Sequence, residues 1–167
     1  NYLSSTEKKV LNSYETFLFA LDVTHSAAIT NRRFYYDIIY NEFHPIYYDG
    51  NSQILNNLNL KPLRFKNSKN SDYINQILTT YPKPFVTKEA WLGSDYALDL
   101  ISSLNVEKFH NQLKTNNLNL NKITIIEKLD LIKKRIKEIK KNEPKESNFQ
   151  YPKNFYSKFF VKDIKNN

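Results

Sequence analysis

The stretch from Thr24 to Asn51 reads THSAAITNRRFYYDIIYNEFHPIYYDGN, and it decides the fold predicted for this chain. It contains two aromatic runs, one that follows Arg33 and one that ends just before Asp49. Aromatic and β-branched residues favour the pleated, half-buried surface of a strand, so the runs predict two strands. Polar residues between the runs favour a turn. The stretch is therefore predicted to contain a β-hairpin.

The two ends of this hairpin carry side chains that bind metal ions in other proteins. Asn31 precedes the first strand, and Asp49 follows the second, which Gly50 ends because glycine permits a positive φ. Protein kinases use an amide and a carboxylate to hold the metal ions that bridge the phosphates of ATP. Asp49-Gly50 is also an ordinary turn signal. The partner Asn31 adds weight to the metal-binding interpretation, and both interpretations stay open.

Composition indicates one folded domain and excludes several kinds of chemistry. The chain has 167 residues, of which 40% are hydrophobic and 14% aromatic, as in a globular protein. It has no cysteine, which excludes disulfides, thiolate metal sites and a cysteine nucleophile. No apolar run approaches the roughly 18 residues that a membrane span needs. The first residues lack the layout of a signal peptide.

Asn1 opens the chain, and methionine occurs nowhere in it. A complete translation product normally opens with methionine. We therefore expect a piece of a longer protein.

The net charge of +8 is concentrated downstream of the hairpin. Residues 1–60 hold fewer bases than acids, and most of the excess lysine lies in 122–165. A basic face can bind nucleic acid or another anionic surface by releasing counterions. The alternative, which we favour, is a solvated face of a lysine-rich helix.

Hydrophobic periodicity and capping residues predict a mainly helical α+β fold. Ser4 or Ser5, Thr87, Asn105 and Asn121 are suitable N-cap residues. Residues 87–143 are predicted to form a helical bundle. The predicted helices cover Leu3–Leu21, Ser71–Thr80, Lys88–Leu104, Val106–Lys114 and Lys122–Lys141, with a short strand at Leu60–Phe65.

Three further predictions concern packing. The last helix carries an apolar stripe expected to face the core, formed by Ile123, Ile126, Leu129, Ile132, Ile136 and Ile139. The tyrosine pairs 35–36 and 47–48 are each expected to place one ring in the core and one on the surface. The C-terminal tail, 144–167, is rich in aromatic residues and is expected to dock through them.

A helix followed by THSAAITNRRFYYD and FHPIYYDGN resembles the CotH family of atypical kinase-like proteins. Members of that family carry an Asn before an aromatic strand, and a proline-hydrophobic step that runs into a metal-binding Asp. The resemblance is confined to residues 24–51. The matching residues are Asn31, Arg32, Phe34, Tyr35, Pro45, Ile46 and Asp49.

The resemblance implies a kinase-like C-lobe that uses ATP and Mg²⁺. Asp49 then corresponds to the carboxylate whose metal bridges the β- and γ-phosphates, and Asn31 to the amide ligand of the second metal. Mg²⁺ prefers hard oxygen ligands and keeps several waters, so such a small ligand set is chemically reasonable. Arg32 and Arg33 are candidates for phosphate binding, or for salt bridges to Asp37 and Glu42. Successive side chains of a strand point to opposite faces, so a salt bridge is expected for only one of the two arginines.

The chain departs from the kinase pattern in two ways. The catalytic base of a kinase lies five residues before the metal-binding Asn, and Ser26 occupies that position here. Asp22 and His25 lie nearby and are the alternative candidates for the base. No glycine-rich phosphate loop exists, since Gly50 and Gly93 are the only glycines. We therefore expect an N-lobe upstream of this chain, and no catalysis by this chain alone.

Two functions of different classes follow from the sequence. The first is a phosphotransferase C-lobe acting on a protein or an envelope glycan, in the cytoplasm or envelope of a bacterium; a pseudokinase would share its fold. The second is a non-catalytic helical module whose basic helices bind an acidic partner. Isolated histidines such as His44 and His110 do not indicate zinc, and no Ser-His-Asp arrangement or Gly-x-Ser-x-Gly motif occurs. Nucleic acid is not the expected partner.

Overall fold

The computed structural model describes residues 4–27, 31, 33–48, 50, 52, 54, 60–65 and 85–144. This part of the chain is mainly helical and contains one two-stranded antiparallel sheet, which confirms the predicted α+β composition. Arg32, Asp49, the predicted helix at 71–80 and the tail from residue 145 onward lie outside the described residues. None of the described helices is long and apolar enough to cross a membrane.

The first helix, α1, covers Ser5–Ala20 and begins with a capping box. The Oγ of Ser4 accepts a hydrogen bond from the N–H of Glu7 at 3.1 Å. In return, Oε2 of Glu7 accepts one from the N–H of Ser4 at 2.7 Å. The two bonds satisfy N–H groups that have no acceptor within the helix, so they define where α1 starts.

The predicted hairpin is confirmed. Its strands are β1, Arg33–Asp37, and β2, Glu42–Ile46. They pair antiparallel, with Arg33 opposite Ile46 and Asp37 opposite Glu42.

Helix α1 anchors the hairpin through β2. The N–H of Phe43 donates to Oε1 of Glu7 at 3.3 Å, and the hydroxyl of Tyr14 donates to the carbonyl of Ile46 at 3.0 Å. Side chains of α1 therefore hold β2 near both of its ends by hydrogen bonds.

Four helices follow within the described residues 85–144. The helices are α2, Lys88–Leu92; α3, Ser94–Ser102; α4, Val106–Thr115; and α5, Lys122–Lys141. Thr87, Asn105 and Asn121 cap α2, α4 and α5, each accepting a backbone N–H with its side-chain oxygen. These caps are confirmed because capping is a local interaction between residues close in sequence.

The helix predicted over Lys88–Leu104, with a mild interruption at Gly93, is divided at that glycine into α2 and α3 and ends at Ser102. Hydrogen bonds continue across the break, from the N–H of Gly93 to the carbonyl of Glu89 and from the N–H of Ala97 to the carbonyl of Gly93, both at 2.9 Å. A Cβ at Gly93 would overlap the main chain of Asn12 and Ser13 in α1. The helix is thus interrupted where its backbone passes directly against α1.

The core lies between α1, α2, α3 and α5. Thr16 ties two of these helices together, since its buried hydroxyl donates to the carbonyl of Ala90 at 2.6 Å. The buried residues that form the main cluster are Phe19, Ala20, Ile54, Val86, Ala90, Ala97, Ile101, Ile132, Ile136 and Ile139.

The predicted stripe on α5 is correct in its C-terminal half and wrong at its start. Ile123 and Ile126 are 65% and 42% exposed, whereas Ile125 is 3% exposed. Residues 125, 132, 136 and 139 lie three, four or seven positions apart, so they share one side of the helix. Which of three neighbouring isoleucines is buried depends on where α5 meets the other helices.

The predicted strand at Leu60–Phe65 is wrong, because residues 60–65 form no regular element. The N–H of Lys61 donates to Oδ2 of Asp22, and the carbonyl of Lys61 accepts from Nη1 of Arg135. Pro62 has no N–H to donate. Side chains of distant elements therefore take the hydrogen bonds of Lys61 that a strand partner would need, whereas the carbonyl of Arg64 accepts from the N–H of Val86 at 2.8 Å.

The tyrosine pairs also differ from the prediction. Tyr35, Tyr36, Tyr47 and Tyr48 are all exposed, by between 42% and 57%. In the described part of the chain the sheet has only two strands, and α1 contacts it through β2. Neither face of the hairpin is therefore buried in the way the prediction required.

Replacing Glu7 by glutamine is expected to weaken the contact between α1 and the hairpin. The N–H of Ser4 lowers the pKa of Glu7 below its ordinary value of 4.5, with Phe43 adding to the effect. Glutamine has one oxygen and can serve only one of these two donors. A lowered pKa stabilises the fold above the ordinary value, and that stability is lost as the pH falls through the folded value.

Thermal unfolding of both proteins between neutral and acidic pH tests this prediction. The parent should be more stable than Glu7→Gln at pH 7, and the difference should shrink as the pH falls below 4.5. Glu127→Gln, at an exposed position on α5, is the control. A difference that stays constant with pH would show that the charge of Glu7 does not contribute.

Candidate functional site

The site predicted from the sequence begins where α1 ends, at Asp22. The N–H of Val23 bonds to the carbonyl of Leu18 at 2.9 Å, and the N–H of Asp22 bonds to that of Phe19 at 3.1 Å. This is the pattern of a Schellman cap, in which glycine usually occupies the left-handed position. Here Asp22 occupies it, with φ of 57°. Aspartate tolerates this conformation better than most residues.

The carboxylate of Asp22 explains why this position is not glycine. Its Oδ2 accepts a hydrogen bond from the N–H of Lys61 at 3.2 Å, which holds the segment 60–65 against the end of α1. Asp22, a candidate catalytic base, is thus engaged with the backbone of a neighbouring segment.

Arg135 of α5 binds the same region from the other side. Its Nε donates to the carbonyl of Ala20 at 2.7 Å, its Nη2 to that of Phe19 at 3.1 Å and its Nη1 to that of Lys61 at 3.0 Å. Burial lowers the pKa of Arg135, and the nearby carboxylate of Asp22 opposes that shift. A cation at the C-terminus of α1 also complements the helix dipole.

Sequence reasoning missed Arg135, although one signal was present. Arg135 lies three residues after Ile132 and four before Ile139, which places it on the buried side of α5. A charged residue inside an apolar stripe predicts a buried partner. The identity of that partner, three carbonyls far away in the sequence, follows only from the fold.

Ser26 connects the loop after α1 to the end of the hairpin at the candidate site. It lies in a 3-10 helix at Thr24–Ala27 and is 1% exposed. Its hydroxyl donates to the carbonyl of Tyr48 at 2.6 Å. The position that matches the kinase catalytic base is thus occupied by a buried serine that connects the loop after α1 to the end of the hairpin.

Asn31 lies at the same end of the hairpin. The paired part of the ladder ends at Arg33 and Ile46, two residues short of Asn31 on one strand and of Tyr48 on the other. The Nδ2 of Asn31 donates to the carbonyl of His25 at 3.3 Å, while the guanidinium of Arg33 lies 5.0 Å from the centre of the Tyr48 ring. His25, Ser26, Asn31 and Tyr48 are therefore brought together, whereas the carboxylate of Asp22 is bound to Lys61.

The chemistry of Asn31 fits a magnesium ligand. Because its Nδ2 donates to His25, its Oδ1 points to the other side of the amide, and an amide oxygen is a hard ligand suited to Mg²⁺. Asp49, the predicted carboxylate ligand, and Arg32 are outside the described residues. The described residues alone contain no group of three or more histidine or acidic side chains that could hold a metal.

The side chain of His25, the other candidate base, is exposed. Its main chain is tied to Asn31. An exposed imidazole is accessible to a substrate hydroxyl, so its exposure is compatible with proton acceptance.

Comparison of this chain with known protein families, curated proteins and solved structures gives no match.

Proposed function

We propose that this chain holds the metal and phosphate groups of a nucleotide in a CotH-like, kinase-type phosphotransferase. Asn31 and Asp49 would be the Mg²⁺ ligands, and Arg32 would contact phosphate. The observation that supports the proposal is that two adjacent residues bind both ends of the hairpin. The carbonyl of His25 accepts from Asn31, and the hydroxyl of Ser26 donates to the carbonyl of Tyr48, the residue that immediately precedes Asp49 in the chain. These contacts agree with an amide and a carboxylate acting at one site.

The hydrogen bonds around this end of the hairpin support a preorganised site. Ser26 fixes the carbonyl of Tyr48, and the carbonyl of His25 fixes the amide of Asn31. Phosphoryl transfer depends mainly on positioning and on neutralising the charge of the phosphates, which bound Mg²⁺ supplies.

Within this proposal, the catalytic base is His25 or Asp22. His25 is exposed and adjoins Asn31, whereas Asp22 bonds to Lys61 and would have to leave that contact to accept a proton. We therefore favour His25. The acceptor would be a protein or an envelope glycan, and an N-lobe upstream of the chain would complete the nucleotide site.

Calorimetric titration of Mg·ATP tests the metal ligands. We expect the parent to bind in a metal-dependent manner, Asp49→Ala to abolish that binding, and Asn31→Ala to weaken it by about tenfold or more, because each substitution removes an oxygen ligand. Asp99→Ala removes one exposed carboxylate from α3 and is the matched control. EDTA should eliminate the heat of binding of the parent.

The titration also shows whether Mg·ATP binding depends on the carboxylate of Asp49. Equal binding of Mg·ATP by the parent and by Asp49→Ala would overturn the assignment of Asp49. No heat from folded parent protein, followed by metal-dependent binding to a longer form that includes the upstream region, would support the expected N-lobe.

A second candidate function, the basic binding module, is favoured by the exposed face of α5. Its exposed lysines are Lys122, Lys134, Lys137, Lys140 and Lys141. Two of these lysines already form ion pairs, Lys122 with Glu107 and Lys140 with Asp95. Binding to a polyanion such as heparin that survives both Asp49→Ala and EDTA, and weakens steeply with salt, would support this function.

A further inference from the structure

The two edges of the hairpin differ in what contacts them. Glu7 and Tyr14 of α1 bond to the backbone of β2. Within the described part of the chain, β1 has no strand partner other than β2. We call the side of β1, Arg33–Asp37, that faces away from β2 the open edge. An exposed strand edge that carries aromatic side chains favours pairing with a further strand.

The main chain of β1 is oriented to pair at this open edge. In an antiparallel ladder, alternate residues direct both their N–H and their C=O toward the partner strand. Phe43 directs its N–H to Glu7 of α1 at 3.3 Å, and Pro45 has no N–H to direct to β1. Their partners in the register, Tyr36 and Phe34, therefore direct their N–H and C=O groups away from β2. These four groups lie along the open edge.

The sequence of β1 is complementary to itself in the antiparallel direction. The strand reads RFYYD, with a cation at its start, a carboxylate at its end and three aromatic residues between them. When two such strands pair antiparallel about Tyr35, Arg33 of each copy lies opposite Asp37 of the other. Phe34 then lies opposite Tyr36. Opposite charges and aromatic pairs are both favourable at directly opposed positions.

The same register also satisfies the main chain of both copies. It opposes Phe34 to Tyr36, and these are the residues whose N–H and C=O groups lie along the open edge. Each of the two Phe34–Tyr36 pairs can exchange two hydrogen bonds. A shift of one residue would oppose Phe34 or Tyr36 to Tyr35, whose main chain is directed to β2, and would separate the charges. Hydrogen bonding and charge therefore select one register.

The charges at the tip end of the ladder favour a cation at the open edge. Asp37 lies directly opposite Glu42 of β2, an unfavourable arrangement of like charges. Two N–H groups of the turn donate to Oδ1 of Asp37, which holds this carboxylate at the end of β1. Arg33 of a second copy would reach it there. A guanidinium carries five N–H donors, so Arg33 can bind a carboxylate while it lies over the ring of Tyr48.

The aromatic side chains of β1 are exposed on both faces of the hairpin. Phe34, Tyr35 and Tyr36 are 43%, 57% and 42% exposed. Side chains alternate along a strand, so Tyr35 lies on one face and the other two lie on the opposite face. A second strand at the open edge would extend both faces at once. Each of the three rings would then gain a cross-strand aromatic neighbour.

We propose that the chain forms a two-fold symmetric dimer, in which β1 pairs antiparallel with β1 of a second copy about Tyr35. The two hairpins then form one four-stranded sheet with β2 of each copy at its outer edges. This contact does not depend on the proposed nucleotide site. An edge contact of five residues is small compared with the roughly 1,200–2,000 Å² of stable interfaces, so we expect the dimer to dissociate in the micromolar range.

Sedimentation equilibrium of the full chain tests the dimer. We expect the mass of the parent to rise from monomer to dimer between about 10 μM and 1 mM. Arg33→Asp should weaken the dimer by about tenfold or more, because like charges then face each other at both ends of the paired strands. Asp37→Arg should act in the same way. An equimolar mixture of the two variants should dimerise again, since opposite charges face each other in the mixed dimer.

A matched pair of substitutions separates the main chain from the side chain. Phe34→Pro removes an N–H from the open edge, and it does so opposite Pro45, where pairing with β2 uses no N–H of residue 34. Phe34→Ser removes the same ring and keeps the N–H. We expect Phe34→Pro to stay monomeric over the whole range and Phe34→Ser to dimerise with reduced affinity. Circular dichroism checks that each variant is folded.

A single cysteine tests the register, because the chain has none of its own. At the centre of the pairing, the two Cα atoms of residue 35 would lie about 4.5 Å apart, within the range that a disulfide can bridge. The two copies of residue 34 would lie about 8 Å apart, which is too far. Tyr35→Cys should therefore form an intermolecular disulfide in a glutathione buffer. Phe34→Cys and Ile123→Cys, the latter exposed on α5, should not.

Three results would overturn the proposal. A parent protein that stays monomeric at about 1 mM would show that the open edge does not bind a second copy. A dimer that survives both Phe34→Pro and Arg33→Asp would place the contact on another surface. Equal cross-linking of Tyr35→Cys and Phe34→Cys would exclude the register. Since none of these measurements uses nucleotide, their result is separate from that of the Mg·ATP titration.

Discussion

Arg135→Met is expected to lower the free energy of unfolding by about 3 kcal/mol or more, because buried carbonyl groups lose their donors at a cost of about 1–3 kcal/mol each. Arg135 is 8% exposed and donates to the carbonyls of Phe19, Ala20 and Lys61. Methionine keeps an unbranched apolar stem in place of the arginine stem. The loss therefore reports mainly the missing hydrogen bonds, with a smaller contribution from lost packing.

Urea unfolding of the variant and the parent measures this loss. Lys134→Met is the control, because Lys134 is the exposed neighbour of Arg135 on α5 and should change stability little. Arg135→Lys should lie between the parent and Arg135→Met, since an ammonium group keeps the charge but lacks the planar fork that reaches three carbonyls. A loss below about 1 kcal/mol for Arg135→Met would show that water replaces the guanidinium at these carbonyls.

Gly93→Ala is expected to destabilise the protein by about 2–3 kcal/mol, although the same change in an open helix would stabilise it by about 1 kcal/mol. The added Cβ would overlap the carbonyl of Asn12 and the amide nitrogen of Ser13. These atoms belong to the main chain of α1, so they cannot move without displacing the helix. The φ of Gly93 is −81°, a value that alanine adopts freely. Steric overlap alone therefore decides whether the substitution stabilises or destabilises the protein.

The other glycine of the chain provides the control for this prediction. A Cβ at Gly50 would meet the ring of Tyr47, which is 51% exposed and can rotate into solvent. Gly50→Ala should therefore change the urea midpoint much less than Gly93→Ala. Equal or greater stability of Gly93→Ala would mean that α1 and the junction of α2 and α3 are separated by more than the fold indicates.

Helix starts could be predicted from the sequence because they depend on near neighbours. Ser4, Thr87, Asn105 and Asn121 each accept a hydrogen bond from an N–H two or three residues further on. The hairpin was predictable for a similar reason, since aromatic strand residues flank a turn whose Asp37 bonds to amides two and three positions away. Such contacts form whatever the rest of the fold does.

The errors arose where a distant element decides the local structure. The helix is interrupted at Gly93, where the main chain of α1 lies against it, and Lys61 joins no strand because Asp22 and Arg135 take its hydrogen bonds. The start of the α5 stripe was wrong for the same reason. Ile123, Ile125 and Ile126 are equally apolar, and only the position of α5 in the bundle selects Ile125 for burial.

At the candidate site, the sequence alone determined the residue types and the order in which they occur: an amide before β1, and a carboxylate soon after β2. The tertiary structure decided which of these groups meet. Asn31 bonds to the carbonyl of His25, the buried Ser26 ties Tyr48 to the loop after α1, and Arg135 binds the end of α1 from more than a hundred residues away. Capping and strand preference act over a few residues and can be inferred from a sequence, whereas register and buried hydrogen bonds depend on which surfaces the folded chain brings into contact.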